Sequence, residues 1–149
     1  MKYWVWSATK ASWKTLRNKR VWATQHKNVT IKLKKGDINI VYVKGTSHFK
    51  GIFLAVSDWY ESYELLWKNE IEKGKKLYPY QIDWEPIQLG EASFNDLFPK
   101  LEFVKNKNKP ARYSYLQGGN GYPANHKNPI KESDFQIIRE EMKKKPSHL

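Results

Sequence analysis

The chain has 149 residues, of which 40% are hydrophobic and 15% aromatic, so it can bury one core and lies outside the composition of disordered proteins. It has no cysteine and no run of 18 apolar residues, which excludes disulfides, thiolate metal sites and a transmembrane helix. These properties predict one cytoplasmic domain without membrane contact. The formal net charge of +12 points to an acidic partner.

The positive charge is concentrated in two stretches that contain no acidic residue. Residues 1–36 hold ten Lys/Arg and residues 103–131 hold six, whereas residues 37–102 carry a net charge of −4. Cations bind nucleic acid because they release counterions from its phosphates. If the two acid-free stretches meet in the fold, they form one basic face and nucleic acid is the leading partner. The alternative is that the charge serves solubility alone.

The first half of the chain is predicted to alternate between strands and a helix. Thr9 caps a helix that carries Trp13 and Leu16 on one face and stops near Asn18. The other predicted elements are a strand at 3–6, a new segment beginning at Val21, a strand at 38–43 and a strand at 50–56 that pairs with it as a hairpin.

The second half is less regular. It is predicted to contain a short helix or ordered loop within 58–76, an alternating strand at 78–85, a helical turn at 95–98, a long loop at 105–129 and a linker at 143–149. Ser133 caps the final helix, which turns Phe135, Ile138 and Met142 inward. The elements predict a domain at 1–142 with an α+β fold whose sheet curls into a barrel, cut from a longer protein.

Short motifs recur in a fixed order along nearly the whole chain. They are Tyr3-Trp4-Val5, residues 18–24 (NKRVWAT), His26-Lys27-Asn28, Lys35-Gly36-Asp37, Gly51-Ile52-Phe53, Val56-Ser57, residues 78–82 (YPYQI), residues 103–107 (FVKNK) and Asp134-Phe135. Through this ordered set the chain resembles the EVE domain family, which has a PUA-like fold related to the YTH domains.

The resemblance implies a curled β-barrel with flanking short helices that flips one modified, methylated nucleotide into an aromatic cage. It also implies a module for DNA targeting in modification-dependent restriction, fused to or associated with an McrB-type GTPase motor. The partner is then DNA or RNA that carries a modified base.

Trp22 is the candidate for the first wall of the cage, because it aligns with the first cage wall of the YTH pattern. It also lies among Lys19, Arg20 and Lys27, which can hold phosphates, and Thr24 nearby can hydrogen-bond a base edge. The alternative is that Trp22 packs in the core. Core packing is the prediction for Trp4, Trp13 and Trp84.

The second wall is predicted to follow the strand that ends at Val56. Trp59 is the preferred candidate because it lies close to the strand end, with Tyr60 beside it and Trp67 also available. An ordinary core role is the alternative for each. Ser7, in the loop after the first strand, is a candidate for a further polar contact.

The loop from residue 105 is predicted to grip the nucleic-acid backbone beside the flipped base. Its cations are Lys105, Lys107, Lys109 and Arg112. The following tyrosine-rich residues 113–121 depart from the YTH pattern, so the identity of the base stays open. A solvated loop without a binding role is the alternative.

An enzyme is the weaker interpretation. The four histidines are scattered without the spacing of metal ligands, and neither acid-free stretch offers a carboxylate as a general base. We therefore predict a binding module without catalytic residues, metal or cofactor. A second alternative is an RNA-binding PUA-like module with no preference for modified bases.

Overall fold

The computed structural model describes residues 1–108, 116, 121–124 and 128–147. The strands are β1 (Tyr3–Ala8), β2 (Val21–Thr24), β3 (Ile38–Val43), β4 (His48–Ala55), β5 (Tyr60–Glu61) and β6 (Tyr80–Ser93). The helices are α1 (Lys10–Lys19), α2 (Lys27–Lys32), α3 (Lys68–Lys73), α4 (Phe94–Leu97) and α5 (Glu132–Lys143), and a 3-10 turn covers Phe98–Lys100. Within the described ranges, none of the helices has the length and apolar character needed to cross a membrane.

The strands form one mixed sheet in the order β1-β3-β4-β6-β2, with β5 also paired to β6. β1 and β3 run parallel, and every other pair is antiparallel. The long strand β6 pairs with β2 and β5 through its first residues and with β4 through the rest. Register shifts in the β3–β4 and β4–β6 pairs bend the sheet. The predicted α+β fold with a curled sheet is confirmed.

Side chains alternate between the two faces of the sheet and build two cores. In β1, Trp4 and Trp6 pack on one face and Val5 on the other. The first face carries a tryptophan cluster, which contains Trp4, Trp6, Trp13, Trp22, Trp67 and Trp84. The opposite core is covered by α5, whose Phe135, Ile138 and Met142 are buried as predicted. The predicted burial of Trp4, Trp13 and Trp84 is likewise confirmed.

Two tryptophans of β1 are held by polar side chains of the neighbouring segment. The indole N–H of Trp4 donates to Asp37 Oδ2 at 3.1 Å, and that of Trp6 donates to Asn39 Oδ1 at 2.9 Å. Asp37 also accepts hydrogen bonds from the backbone N–H groups of Lys2 and Lys34. Because buried polar groups need partners, these bonds orient both rings within the cluster.

Helix α1 begins and ends at identifiable caps. Thr9 accepts a hydrogen bond from the Ser12 N–H, so the predicted N-cap is confirmed. The helix ends at Arg20, which adopts a left-handed conformation (φ 55°) and turns the chain directly into β2. This short connection joins the C-terminus of α1 directly to the strand that carries Trp22.

The C-terminal region departs from its prediction in two respects. Lys131 is the N-cap residue of α5, so Ser133 lies inside the first turn instead of capping it. Asp134 accepts hydrogen bonds from the N–H groups of Glu102 and Phe103 and ties the helix to the preceding loop. Residues 145–147, predicted as part of a linker, exchange backbone hydrogen bonds with β6.

The middle region contains the short helix predicted within 58–76, as α3. Tyr63, Leu66 and Trp67 occur at helical spacing, yet α3 begins only after Trp67. The carboxylate of Glu70 binds the backbone N–H groups of Leu66 and Trp67 and holds them in a non-helical approach to α3.

We expect Gly51→Ala in β4 to lower the free energy of unfolding by about 1–3 kcal/mol through overpacking. An added Cβ would lie 2.6 Å from Phe53 Cε2 and 2.7 Å from Trp13 Cη2, where α1 packs on the sheet. Urea denaturation measures the loss. As the control, Gly74→Ala meets no atom within 4 Å and costs only the strain of its positive φ of 66°, about 1 kcal/mol. A Gly51→Ala protein as stable as the wild type would contradict this packing.

Candidate nucleic-acid interface

A cavity of about 200 Å³ opens at the edge of the tryptophan cluster. It is smaller than the roughly 300–1,000 Å³ pockets that hold drug-sized ligands, so its size suits one small ring system. We call it the tryptophan cavity. Its lining residues are Trp6, Ser7, Ala8, Thr9, Ser12, Trp22, Ala23, Lys44, Trp67, Tyr78, Gly121 and Tyr122.

Trp22 occupies the centre of the aromatic contacts around the tryptophan cavity. One ring face stacks on Trp84, with the centroids 5.2 Å apart and an interplanar angle of 7°. Trp6 and Trp67 meet it edge-on, each at a centroid distance of 5.6 Å. Trp22 is 8% exposed, so it belongs to the core and at the same time lines the cavity. Trp22 can therefore pack in the core and also form a wall of the cavity.

Trp67 provides a second indole wall, at 79° to the first. The N–H groups of Trp22 and Trp67 are both buried and have no hydrogen-bond partner among the described residues. This differs from Trp4 and Trp6, whose indoles are anchored, and from Trp59. An unpaired buried donor costs free energy. The two walls thus keep indole donors without a partner, whereas the donors of Trp4 and Trp6 are both bonded.

A buried carboxylate positions the segment that carries Trp67 and Tyr78. Glu70 has 0% exposure, and its two oxygens accept the backbone N–H groups of Leu66, Trp67, Leu77 and Tyr78 at 3.0–3.3 Å. Lys76 completes the site with a salt bridge at 3.2 Å. Burial raises the pKa of Glu70, but the four backbone donors outweigh it, and the pKa lies below its ordinary value of 4.5. Glu70 is therefore charged at neutral pH.

Another part of the rim is formed by residues 121–124, which lie against the end of β2 and the middle of β1. Thr24 Oγ1 donates to the Gly121 carbonyl at 2.8 Å, and the Ala124 N–H donates to the Val5 carbonyl at 2.6 Å. Tyr122 stacks on His26 with the ring centroids 3.8 Å apart. These contacts bring the second acid-free stretch against the first at the tryptophan cavity.

Of the two polar residues predicted for the site, Ser7 lines the tryptophan cavity and Thr24 does not. Ser7 lines the tryptophan cavity, and its hydroxyl donates to the Leu116 carbonyl. Thr24 has 0% exposure and accepts from the His26 N–H in addition to its bond to Gly121. Thr24 thus lies behind the rim, where it orients Gly121, and it does not line the cavity.

Trp59 and Tyr60 do not line the tryptophan cavity. The indole N–H of Trp59 donates to the Leu33 carbonyl at 2.7 Å, so the ring is fastened beside the end of α2. The Tyr60 hydroxyl lies 2.5 Å from Asp83 Oδ1 and also accepts from Gln81. Burial and the bond to Asp83 raise the pKa of Tyr60. Of the three aromatics considered for the second wall, the fold brings Trp67 to the cavity.

The predicted phosphate-binding cations fall into three groups. Lys19, Arg20 and Lys27 are exposed and flank β2, the strand that carries Trp22. Lys105 is exposed, whereas the Lys107 ammonium donates to the carbonyls of Phe98 (2.8 Å) and Leu101 (2.6 Å) and so closes the 3-10 turn. Lys109 and Arg112 lie outside the described residues.

Sequence reasoning missed several residues that line the tryptophan cavity, among them Lys44, Tyr78 and Tyr122. Lys44 directly follows β3, Tyr78 precedes β6, and Tyr122 lies in the second acid-free stretch. The sequence signal that could have identified them is their position, beside a strand end for Lys44 and Tyr78 and in an acid-free stretch for Tyr122. Within the described part of the chain, no group of three or more His, Asp or Glu could hold a metal ion.

Sequence comparison matches this chain to one protein family over nearly its whole length. The family model of the EVE domain matches residues 2–141. A UPF0310 protein of Saccharolobus solfataricus is 30% identical, over 96% of this chain and 96% of the relative. A UPF0310 protein of Pyrococcus abyssi is 34% identical, over 73% of this chain and 82% of the relative.

Solved YTH domains share the fold. The Toxoplasma CPSF4 YTH domain in complex with a 7-mer m6A-modified RNA has a TM-score of 0.63 at 13% identity, over 99% of this chain and 93% of that one. The Mmi1 YTH domain in complex with RNA has a TM-score of 0.65 at 9% identity, over 99% and 84%. The predicted PUA-like, YTH-like fold is therefore confirmed.

We expect Glu70→Gln to lower the free energy of unfolding by about 3 kcal/mol, because an amide cannot accept from four backbone donors and removes the charge that pairs with Lys76. The deficit should shrink as pH falls below 4.5, since wild-type Glu70 contributes stability above its unfolded pKa and loses it on protonation. Urea denaturation across this pH range tests both points. Glu72→Gln, which removes an exposed pair with Lys68, is the control and should cost no more than about 0.5 kcal/mol.

Proposed function

Because this chain belongs to the EVE domain family, we propose that it is a nucleic-acid-binding module that reads a modified base in the tryptophan cavity. The observation that carries the proposal is the meeting of the two acid-free stretches at a cavity with indole walls and the volume of one small ring system. Aromatic planes hold bases by stacking, and surrounding cations hold phosphates.

The binding free energy requires both the aromatic cavity and the cations around it. Stacking on an aromatic side chain contributes about 1–3 kcal/mol per base. Turning a base out of a duplex costs a few kcal/mol, and less from a single strand. For duplex DNA, the stacking energy of a base in the tryptophan cavity is therefore about equal to the cost of turning that base out of the helix. Contacts to the nucleic-acid backbone supply the remaining affinity. A methyl group adds binding free energy when it fills space in the cavity that an unmodified base leaves empty.

The structural neighbours support the same reading. YTH domains of the same fold were solved in complex with m6A-modified RNA, and one with N6-methyladenosine RNA. In this chain the walls are Trp22 and Trp67, with Trp6 behind them and Ser7 at the edge. The backbone is gripped by Lys19, Arg20, Lys27 and Lys105, which surround β2 or follow the 3-10 turn.

The setting we propose is DNA targeting in modification-dependent restriction. The module then delivers its base-reading surface to an McrB-type GTPase motor, as a fused domain or as a separate partner. An RNA-binding module without preference for modification is the competing function, and it differs in one measurable property, the affinity ratio between modified and unmodified nucleic acid.

We expect Trp22→Ala and Trp67→Ala to remove a preference for modified bases, whereas Trp59→Ala leaves it in place. The wild type should bind one modified oligonucleotide at least tenfold tighter than its unmodified match, a difference of about 1.4 kcal/mol. Fluorescence-anisotropy titrations at fixed salt against N6-methyladenine, 5-methylcytosine and 5-hydroxymethylcytosine, each in single-stranded DNA, duplex DNA and RNA, measure it. Circular dichroism and retained binding to unmodified strands control for folding.

The outcomes separate the candidate functions. Equal wild-type affinity for all oligonucleotides would identify a general nucleic-acid-binding module. Loss of the preference in Trp59→Ala, but not in Trp67→Ala, would move the second wall from the tryptophan cavity to the side of β5.

We expect single replacements of Lys19, Arg20 and Lys27 by alanine to weaken modified and unmodified strands alike. Each should reduce the slope of log K against log salt by about 1, because one phosphate contact is lost. Lys107→Ala is the matched control: its ammonium binds two carbonyls, so it should reduce stability and leave the salt slope unchanged. Selective weakening of the modified strand by the β2-flanking variants would contradict a backbone role.

A further inference from the structure

Helix α2 presents an exposed isoleucine in a segment whose charges are all positive. Ile31 is 65% exposed, whereas Val29 and Leu33 on either side of it are buried against the tryptophan cluster. Residues 27–35 contain no acidic residue and four exposed lysines, which are Lys27, Lys32, Lys34 and Lys35. Within the described part of the chain, no carboxylate forms a salt bridge with any of these lysines.

Both ends of α2 are fastened, and the first lies at the tryptophan cavity. The ring of its N-cap residue, His26, stacks on Tyr122, which lines the cavity. At the other end, the Leu33 carbonyl accepts the indole N–H of Trp59 at 2.7 Å. Because a helix rises 1.5 Å per residue, Ile31 lies about 7–8 Å along the helix axis from His26. The exposed isoleucine is therefore held at a fixed position close to the rim of the cavity.

The setting of Ile31 distinguishes it from other exposed apolar residues. A single exposed isoleucine is common on protein surfaces. Ile71 is such a residue, 60% exposed on α3, a helix of the same length that carries Glu70 and Glu72. In α2, by contrast, every charged side chain is a lysine, and the helix begins at the rim of the tryptophan cavity. The surface around Ile31 is therefore complementary to a polyanion.

Double-stranded DNA offers a place for an apolar side chain when one of its bases is turned out. The base leaves a gap, and the neighbouring base pairs lose stacking contacts on the faces that border it. Proteins that deform DNA insert apolar wedges, isoleucine among them, between base steps. Insertion also removes the apolar surface of the wedge from water. Isoleucine in a helix has one strongly preferred χ1 rotamer, so it loses little conformational freedom when it inserts.

We propose that α2 engages double-stranded DNA and that Ile31 fills the gap left by the base that enters the tryptophan cavity. Lys32, Lys34 and Lys35 hold the phosphates around this gap. The inference rests on the proposed function, since it names double-stranded DNA as the substrate of the same site. A single strand has no gap between paired bases, so Ile31 contributes to duplex binding alone.

The test compares double-stranded and single-stranded DNA of one sequence. Both carry, at a central position, whichever of N6-methyladenine, 5-methylcytosine and 5-hydroxymethylcytosine the wild type binds most tightly, with unmodified DNA as reference. Fluorescence anisotropy gives the affinities of the wild type, Ile31→Ala, Ile31→Leu and Ile71→Ala. Both isoleucines are largely exposed, so the replacements leave the core intact, and circular dichroism checks the fold. Ile71→Ala makes the same change on a helix outside the acid-free stretches.

We expect Ile31→Ala to weaken binding of the modified duplex about fivefold or more, and to leave the modified single strand within about twofold of the wild type. Ile31→Leu should keep most of the duplex affinity, because leucine offers an apolar side chain of the same size. Ile71→Ala should change neither affinity. The ratio of duplex to single-strand affinity within one variant cancels a general loss of affinity or stability.

The lysines of α2 are tested through the salt dependence of duplex binding. Lys32→Ala and Lys35→Ala should each reduce the slope of log K against log salt by about 1, because one phosphate contact is lost. Lys73→Ala, exposed on α3, is the matched control and should leave the slope unchanged. An unchanged slope in both α2 variants contradicts a contact between this helix and the phosphates.

Three results for Ile31 would overturn the inference and leave a base-reading site in place. One is an Ile31→Ala protein that binds the modified duplex as tightly as the wild type. Another is equal weakening of duplex and single strand, because Ile31 would then make a contact that needs no gap. The third is a wild type that reads the modified base in single strands and not in duplexes. Equal affinity for all modified and unmodified DNA is a different failure, which removes the proposed function itself.

Discussion

The stacking of Trp22 on Trp84 is the contact on which the site depends. It fixes one face of the Trp22 ring inside the core, at 5.2 Å and nearly parallel, through the pairing of β2 with β6. A ring held in this way cannot rotate to fill the tryptophan cavity, so the cavity persists beside a well-packed cluster. A ligand that stacks there meets a preorganised wall and loses little binding energy to ordering the protein.

The acid-free stretches around the Trp22 wall are separate in sequence from the acidic region 37–102. The acid-free stretches contribute most of the lining. Two buried acids of 37–102 serve other purposes: Asp37 anchors Trp4, and Glu70 holds the backbone on either side of α3. Glu70 stays ionised because four backbone donors hold its pKa below the ordinary value. These two acids therefore support the scaffold, while the residues around the cavity come mostly from acid-free chain, which suits phosphates.

The sequence predicted the parts of this arrangement that depend on local pattern. The cap at Thr9, the inward faces of α1 and α5, and the β3–β4 hairpin follow from the spacing of a few neighbouring residues. Trp59 and Trp67 could not be separated in the same way. Both are aromatic and both follow β4, and only the bond of Trp59 to the Leu33 carbonyl and the approach of Trp67 to Trp22 distinguish them. Lys107, similarly, has the composition of a phosphate ligand and the contacts of a turn cap.

By itself, the sequence determined that the chain folds as one α+β domain of the EVE type, that its cations lie in two acid-free stretches, and that Trp22 lies among them. Only the tertiary structure decided which side chains share the tryptophan cavity. Strand pairing and long-range hydrogen bonds bring Trp67 and Tyr122 to the cavity and set Thr24 behind its rim. The bond from Ser7 to the Leu116 carbonyl, for example, joins residues 109 positions apart in sequence. Such contacts leave no periodic trace, because periodicity records the face of one element and not the element that packs against it.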